Sequence, residues 1–295
     1  MMLLPLSLLS IIFGTVNSAG RDGIDFIYFN GNSTDGAGVI LPGTGAKMES
    51  WSKQKNTFGV TVQRIILDQN GEVGNGHEFF IKGDSYLIVT KGEAIFGTKI
   101  AEGMPIELGD MVWIAGGATF GPIINIAEAE TIILSISSSV FSPDFSPSLN
   151  SNPTTVLEET IQVWRHQDVG HRYKSVNGYP LADRVDWKAG DFLRPHYHPR
   201  GSFYIPLDSC QDLIYGGDRE ELVKITAGDV RWVRPGYFYT TERTENGCLF
   251  IALHESQASW VTNTKQDAWV SWEKFQGEYQ CQYESVQTVV FGSQE

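Results

Sequence analysis

Two stretches of this chain share one spacing of glycine, aspartate and tryptophan, and this repetition constrains the fold more than any other feature. The pattern G-D-x-x-W-x-x-x-G begins at Gly109 and again at Gly228, an offset of 119 residues. The same offset sets Gly71 against Gly190. A pattern kept in one register over two stretches indicates a structural unit used twice. The sequence therefore predicts a duplicated architecture.

Both halves contain short apolar or alternating runs separated by glycine-containing turns. The runs recur at intervals of about ten residues between positions 58 and 140 and between 160 and 256, which is typical of a β-sandwich or small barrel. Residues 141–155 are poor in aliphatic side chains and rich in Ser, Pro and Asn, so we interpret them as a linker. Near the C-terminus, Trp269, Trp272 and Phe275 lie three residues apart, which predicts a short helix.

The N-terminus has the features of a cleaved export signal. Residues 1–19 carry no charged side chain and contain an apolar run from Leu3 to Phe13, followed by small residues. About 20 apolar residues are needed to span a bilayer, so this run predicts a signal peptide and a secreted protein without a membrane anchor. Asn32, in the sequon Asn-Ser-Thr, predicts a glycoprotein.

Charge and cysteine content restrict the partners and the redox chemistry. The formal net charge is −13, which argues against binding to nucleic acid or to an anionic membrane surface. Cys210, Cys248 and Cys281 permit one of three single disulfides with one thiol left over, or none. The spacing does not choose between them.

The second half contains a pair of histidines that suits a metal ion. His196 and His198 are one residue apart in an aromatic-rich run bounded by Gly and Pro, which predicts a strand leaving a turn. Alternation along a strand places both imidazoles on one face, about 6.6 Å apart along the backbone, close enough to share a metal. These residues form half of a metal site.

This stretch resembles the two motifs of the cupin superfamily, G-x5-H-x-H-x3/4-E-x6-G and G-x5-P-x-G-x2-H-x3-N. Gly190, His196 and His198 match the first motif, and Gly228 and Gly236 match the second. The resemblance implies an all-β fold of two tandem jelly-roll (cupin) barrels, a bicupin, with the short C-terminal helix added. The first barrel is expected at 22–140 with a degenerate metal site, and the second at 156–290 with a partial one.

The resemblance also implies a metal held by three His and one Glu, and this chain departs from that set twice. Tyr239 stands where the third His belongs, and the Glu position falls at Ser202 or Phe203. Tyrosine can bind iron, although its phenol has an unperturbed pKa near 10.

The resulting metal-ligand prediction is His196, His198 and Tyr239, for a divalent transition metal (Fe, Mn, Zn, Cu or Ni). The remaining position stays open to water, Ser202, His254 or a carboxylate from elsewhere.

The first half lacks most of the family's ligands. At the 119-residue offset His77 takes the first His position, Phe79 the second, Asp84 the Glu position and Phe120 the last. Since phenylalanine cannot bind a metal, we expect this barrel to serve packing, dimerisation or shaping of the other barrel's mouth.

Substrate contacts are predicted around the histidine pair. Arg194 shares the strand parity of the histidines, so it is a candidate for binding an acidic substrate. Tyr204, with Tyr237 and Trp232 nearby, suits a small organic or phenolic acid. We expect Arg231 at the surface and residues 208–218 in a loop.

Two functions follow as hypotheses. The first is a secreted metal-dependent enzyme, an oxidoreductase of the dioxygenase type, with a small-molecule substrate. The second is a non-catalytic secreted cupin with a storage, carbohydrate-binding or matrix role, favoured by the loss of ligands in both barrels. Either function is compatible with a homo-oligomer.

Overall fold

The computed structural model describes eleven segments of the chain. They are residues 26–32, 38–51, 61–97, 103–137, 141–144, 161–166, 181–193, 196–197, 201–217, 222–234 and 237–254. Every regular element within them is a β-strand, which confirms the all-β prediction, and no helix in this described part is long and apolar enough to cross a membrane. The predicted signal peptide and C-terminal helix lie outside the described residues.

The described part of the chain contains twelve strands in its first half and ten in its second. Those of the first half are β1 (Phe26–Phe29), β2 (Val39–Ile40), β3 (Gly43–Ser50), β4 (Thr61–Val73), β5 (Phe79–Phe80), β6 (Ser85–Lys91), β7 (Ala94–Phe96), β8 (Met104–Ile106), β9 (Met111–Ile114), β10 (Thr119–Phe120), β11 (Ile123–Asn125) and β12 (Thr131–Ser137). Those of the second half are β13 (Ile161–Trp164), β14 (Leu181–Trp187), β15 (Phe192–Leu193), β16 (His196–Tyr197), β17 (Ser202–Pro206), β18 (Leu213–Gly217), β19 (Val223–Ile225), β20 (Val230–Val233), β21 (Phe238–Arg243) and β22 (Cys248–His254).

The strands form curled antiparallel sheets of the jelly-roll type. In the first barrel, one ten-stranded sheet runs β13-β9-β6-β12-β4-β11-β7-β8 with β2 and β3 attached through β4, and β5 pairs with β10. In the second half, one sheet runs β1-β20-β17-β22-β14, and another runs β15-β21-β18-β19 with β16 on β21. Side chains from both sheets of the second half pack into one core between them. Two barrels therefore follow one another along the chain.

The two barrels exchange a strand. β1, at the start of the chain, pairs with β20 of the second barrel, while β13, at the start of the second half, pairs with β9 of the first. Phe29 lies opposite Val230, and Trp164 lies opposite Met111, so the two pairings are equivalent in register. The division into barrels at 22–140 and 156–290 stays a prediction. Each exchanged strand belongs by sequence to one of these ranges and pairs with a strand of the other.

The aspartate of the repeated motif holds the exchanged strand in the first barrel. The carboxylate of Asp110 accepts backbone N–H bonds from Glu107 (3.0 Å) and from His166 (2.7 Å), just beyond the end of β13. The Arg165 guanidinium donates to the same carboxylate at 2.8 Å, and the His166 ring Nδ1 lies 2.7 Å from it. One buried side chain thus closes its own turn and fixes the incoming strand.

Asp229 performs the same task in the second barrel. Its carboxylate accepts backbone N–H bonds from Thr226 (2.9 Å) and from Gly31 (2.7 Å), just beyond the end of β1. Gly31 lies so close to Gly228 that a Cβ there would come within 2.6 Å of the Gly228 carbonyl oxygen. The repeated G-D-x-x-W motif is therefore a structural clamp.

Strand alternation creates three separate cores. On β20, Val230 and Trp232 face the first barrel, whereas Val233 faces the interior of the second. The matching strand β9 likewise sends Met111 to the inter-barrel core and Val112 to its own interior. Each barrel has an inner core, and a third core joins the two barrels.

The described residues bear on three further points of the sequence analysis. Cys210 and Cys248 form a disulfide, so the pairing that the spacing left open is settled for these two, and Cys281 lies outside the described residues. Of the predicted linker, residues 141–144 are described, and Phe141 is buried in the first barrel's core. Asn32 is exposed, which is compatible with the predicted glycan.

Candidate functional site

The two barrel interiors have the same strand register and opposite chemistry. Three cross-strand pairs of the first interior are entirely apolar and buried: Leu87–Val112, Phe96–Ile123 and Phe79–Phe120. Their counterparts in the second barrel are Tyr204–Arg231, Tyr215–Glu242 and His196–Tyr239. Hydroxyl, guanidinium and carboxylate groups thus replace hydrocarbon at equivalent inward positions of the second barrel, and His196 stands on the strand position that Phe79 has in the first. This difference marks the second barrel as the candidate site.

The tyrosines of the second interior form one continuous aromatic cluster. The Tyr204 ring centroid lies 4.9 Å from that of Tyr215 and 6.0 Å from that of Tyr239, and Tyr215 lies 6.1 Å from Tyr239. Tyr237 contacts Tyr239 at 5.0 Å. The counterpart rings Phe96 and Phe120 of the first barrel are 5.8 Å apart, so the ring scaffold is common and the hydroxyls are added. The Tyr215 hydroxyl is buried and makes no hydrogen bond within the described part of the chain.

Burial and charge keep these phenols protonated. Burial raises the pKa of Tyr239 well above its usual value near 10, the Glu242 carboxylate raises it further, and the Arg231 guanidinium acts in the opposite direction. The pKa values of Tyr204 and Tyr215 are raised by the same two causes, burial first and Glu242 second. A phenolate at Tyr239 therefore requires a nearby cation to stabilise it.

Arg231 lies inside the barrel, and the prediction that it is a surface residue is wrong. Its exposed fraction is 0%, and its guanidinium carbon lies 4.7 Å from the Tyr215 ring centroid and 5.7 Å from that of Tyr237. Alternation on β20 directs it inward, and the faces of the two rings favour a cation through their quadrupoles. Residues 208–218 are likewise more than a loop, since β18 occupies part of them.

Glu242 is a buried carboxylate that the sequence reasoning missed. Only 1% of it is exposed, and it lies directly opposite Tyr215 on one side and Leu193 on the other, both members of the inner core. Tyr239 and Glu242 are three residues apart, which in a regular strand places them on opposite faces. The ladder between β18 and β21 skips Thr240, and this extra residue returns Glu242 to the face of Tyr239.

The predicted ligands and substrate contacts are only partly described. Tyr239 and Tyr204 lie together in the second interior, and the backbone of His196 lies directly opposite Tyr239 on β16. Arg194 and His198 lie outside the described residues, as does the His196 side chain. Their assignment as ligands or substrate contacts stays a prediction.

The strand register corrects three details of the sequence alignment. Phe79 lies opposite Phe120, so Phe79 rather than His77 is the counterpart of His196. Phe203 faces the inter-barrel core, which removes it as the position of the family's Glu. Trp232 also faces that core, so it does not line the second interior as predicted.

The types of donor group at these positions suit a transition metal. Imidazole, a phenol oxygen and a carboxylate are all ligands of first-row metals, and Tyr239 and Glu242 share one face of β21. Among the residues that the structure describes, no group of three or more His, Cys, Asp or Glu side chains comes together. A complete site here thus requires the His196 and His198 side chains.

Neither protein-family models nor curated protein sequences match this chain. Solved structures do match its fold. Procruciferin, an 11S globulin from Brassica napus, superposes with a TM-score of 0.58 over 89% of this chain and 93% of its own, at 12% identity. The coconut allergen cocosin superposes with a TM-score of 0.57 over 87% of this chain and 93% of its own, at 11% identity. A candidate dioxygenase from Nostoc punctiforme superposes with a TM-score of 0.54 over 82% of this chain and 87% of its own, at 14% identity.

These neighbours are cupin-fold proteins, and this chain has the tandem cupin fold that its motifs predicted. Storage globulins and a candidate enzyme occur side by side among them. At such low identities the likeness extends to the fold alone.

Proposed function

We propose that this protein is a secreted bicupin whose second barrel binds a divalent transition metal and acts as a dioxygenase-type enzyme on a small organic or phenolic acid. The observation that carries the proposal is the replacement of three apolar interior pairs by polar ones in the second barrel alone. Burying such groups costs free energy that an apolar core does not incur. A role in binding accounts for that cost.

In this proposal His196, His198 and Tyr239 hold the metal, which supplies Lewis-acid and redox chemistry at its open positions. The position of His196 opposite Tyr239 supports this set. In the metal-free protein Tyr239 keeps its proton at the phenol oxygen at neutral pH, because burial and Glu242 raise its pKa. Coordination through that oxygen requires loss of the proton, so metal affinity is expected to rise with pH.

The aromatic cluster supports a ring-containing substrate. Tyr204 and Tyr215 present buried rings beside Tyr239, and ring faces at such distances pack favourably against another aromatic group. Arg194 and Tyr204 are the proposed substrate contacts, and the first barrel is proposed to serve as scaffold. Export through residues 1–19 and a glycan at Asn32 belong to the same proposal.

A non-catalytic storage, carbohydrate-binding or matrix role is the second candidate. It is favoured by the close packing of Tyr204, Tyr215 and Tyr239, whose rings fill the second interior much as Phe96 and Phe120 fill the first. In that case the polar groups are part of a core rather than of a site.

Oxygen uptake by the metal-loaded mature protein separates the two candidates. The probe is a panel of hydroxybenzoates, tested with each of the five metals in turn. We expect uptake by the wild type and a loss of at least about 100-fold in the His196→Ala/His198→Ala variant. His77→Ala, in the first barrel, serves as the matched control and is expected to keep full activity. A protein that binds metal stoichiometrically and consumes no oxygen with any probe supports the non-catalytic role.

A further inference from the structure

We infer that Glu242 is the carboxylate that completes the metal site of the second barrel, replacing the glutamate that is missing from β17. This inference rests on the proposed function, because it presupposes a metal at His196, His198 and Tyr239. It assigns Glu242 a role as a metal ligand, contributed by a strand that already carries Tyr239.

The position of Glu242 follows from the backbone. Directly opposed residues of an antiparallel pair present their side chains on one face. Glu242 is opposed by Tyr215 on β18 and by Leu193 on β15, and both of these side chains belong to the inner core. The bulge at Thr240 then places Tyr239 and Glu242 at successive inward positions, about 6.6 Å apart along the strand. A glutamate side chain is long enough to share a cation with a tyrosine at that spacing.

The chemistry of the remaining ligands calls for such a carboxylate. Two neutral imidazoles and one phenolate leave a divalent cation with uncompensated charge inside a buried site. The open-site metal centres that combine two His with one carboxylate solve this by adding one anionic oxygen. On β17, Ser202 is buried at the inward position where the family's Glu is expected, and it carries no charge. Glu242 brings that charge to the same interior from the opposite sheet.

In the first barrel, the position equivalent to Glu242 holds an aliphatic residue. Ile123 occupies the position of Glu242 and lies opposite Phe96, as Glu242 lies opposite Tyr215. The first barrel therefore accommodates an aliphatic side chain at this position without any change of strand register. Placing an ion there in the second barrel carries a desolvation penalty that the aliphatic side chain avoids. Arg231, also fully buried, brings a positive charge into the same interior, over the ring of Tyr215, which lies opposite Glu242.

The test compares metal affinity and stoichiometry in variants of the mature protein. Each protein is stripped with a chelator and titrated with Fe(II), Mn(II), Zn(II), Cu(II) and Ni(II), with bound metal measured by elemental analysis. We expect Glu242→Gln to lower affinity by at least about tenfold and to reduce the rise in Tm that metal gives the wild type at the same metal concentration. Asp212→Asn is the matched control, since Asp212 is an equally buried carboxylate of this barrel that is held by Thr244 and Asn246. It is expected to keep wild-type affinity.

The outcomes separate this inference from the proposed function. Wild-type affinity in Glu242→Gln, with no metal in His196→Ala/His198→Ala, overturns the role of Glu242 and leaves the metal site standing. No metal in the wild type overturns the proposed function, and this inference with it. If circular dichroism shows that Glu242→Gln is unfolded, the metal affinity of Glu242→Asp is measured instead, because aspartate keeps the negative charge on a shorter side chain. An intermediate affinity supports the inference, and unchanged affinity overturns it.

Discussion

The first and second barrels share one strand scheme and differ in what they enclose. Both pair with a strand from the other half, and both hold that strand with an aspartate. Both also place an aromatic ring at two equivalent inward positions, Phe96 and Phe120 in the first barrel and Tyr215 and Tyr239 in the second. The first interior is hydrocarbon throughout its three matched pairs, whereas the second contains a guanidinium, a carboxylate and hydroxyls. The comparison teaches that the clamp and the sheet register determine this fold, while the inward side chains can vary.

The free energy of unfolding should respond most strongly to the buried charges of the second barrel. Arg231→Val, which installs the first barrel's residue, is expected to lower it by about 3–5 kcal/mol, because the Glu242 carboxylate then remains buried without that cation. Adding Glu242→Ile should recover part of the loss. The measurement is a double-mutant cycle from urea unfolding, with the exposed Arg243→Val as control. Strictly additive losses would show that the two charges do not share one environment.

The disulfide is a second feature that distinguishes the barrels. Cys210→Ala/Cys248→Ala is expected to lower the free energy of unfolding by about 2–4 kcal/mol, because the bridge closes a loop with a sequence separation of 38. In the first barrel, Thr131 takes the place of Cys248 and is held by a hydrogen bond to Asn125 (2.7 Å). Denaturant titration with and without reductant measures the effect. Sensitivity of the double variant to reductant would contradict this account.

The aspartate clamps test the shared part of the comparison. Asp110→Ala is expected to cost about 2–3 kcal/mol and Asp229→Ala about 1–2 kcal/mol, because Asp110 accepts a side-chain bond from the charged Arg165 guanidinium, whereas Asp229 accepts one from the neutral Thr226 hydroxyl. Hydrogen exchange should show faster opening of β13 in the first variant and of β1 in the second. Equal effects on both exchanged strands from either variant would show that the clamps do not act locally.

Acid should lower the stability that Asp212 gives the second barrel. Burial acts to raise the pKa of Asp212, but hydrogen bonds from Thr244, Asn246 and Glu245 outweigh it and hold that pKa well below its usual range. The folded pKa lies below the unfolded value of about 3.9, so this stabilisation is present above that pH and is lost as the pH falls below it. Asp212→Asn should flatten the acid limb of a stability profile. An unchanged acid limb would contradict the role of this carboxylate.

The sequence predicted the parts of the fold that depend on local pattern. The repeat offset holds for β9 against β20, and Tyr204 and Tyr239 lie in the predicted second interior. The strand exchange could not be predicted, because short strands carry no signal that selects a partner far along the chain. The offset of 119 residues fails at the histidine motif, where the register aligns Phe79 with His196. The reason is that the chain between β17 and β18 is two residues longer than the chain between β6 and β7.

The content of the candidate site was harder to predict for a physical reason. Arg231 was expected at the surface because arginine is seldom fully buried without compensation, and here the compensation comes from rings on other strands. Glu242 was missed because regular alternation from Tyr239 places it outward, and only the bulge at Thr240 turns it inward. Bulges leave no reliable trace in a single sequence.

The most direct test of the central claim is a crystal structure of the mature protein grown with the metal it binds, using anomalous scattering at that metal's absorption edge. The account predicts one strong peak, inside the second barrel and within about 2.0–2.2 Å of the Tyr239 phenol oxygen, with the interior of the first barrel empty. A peak in the first barrel, or a metal bound only at the surface while the second interior is closed by its tyrosines, would contradict the account.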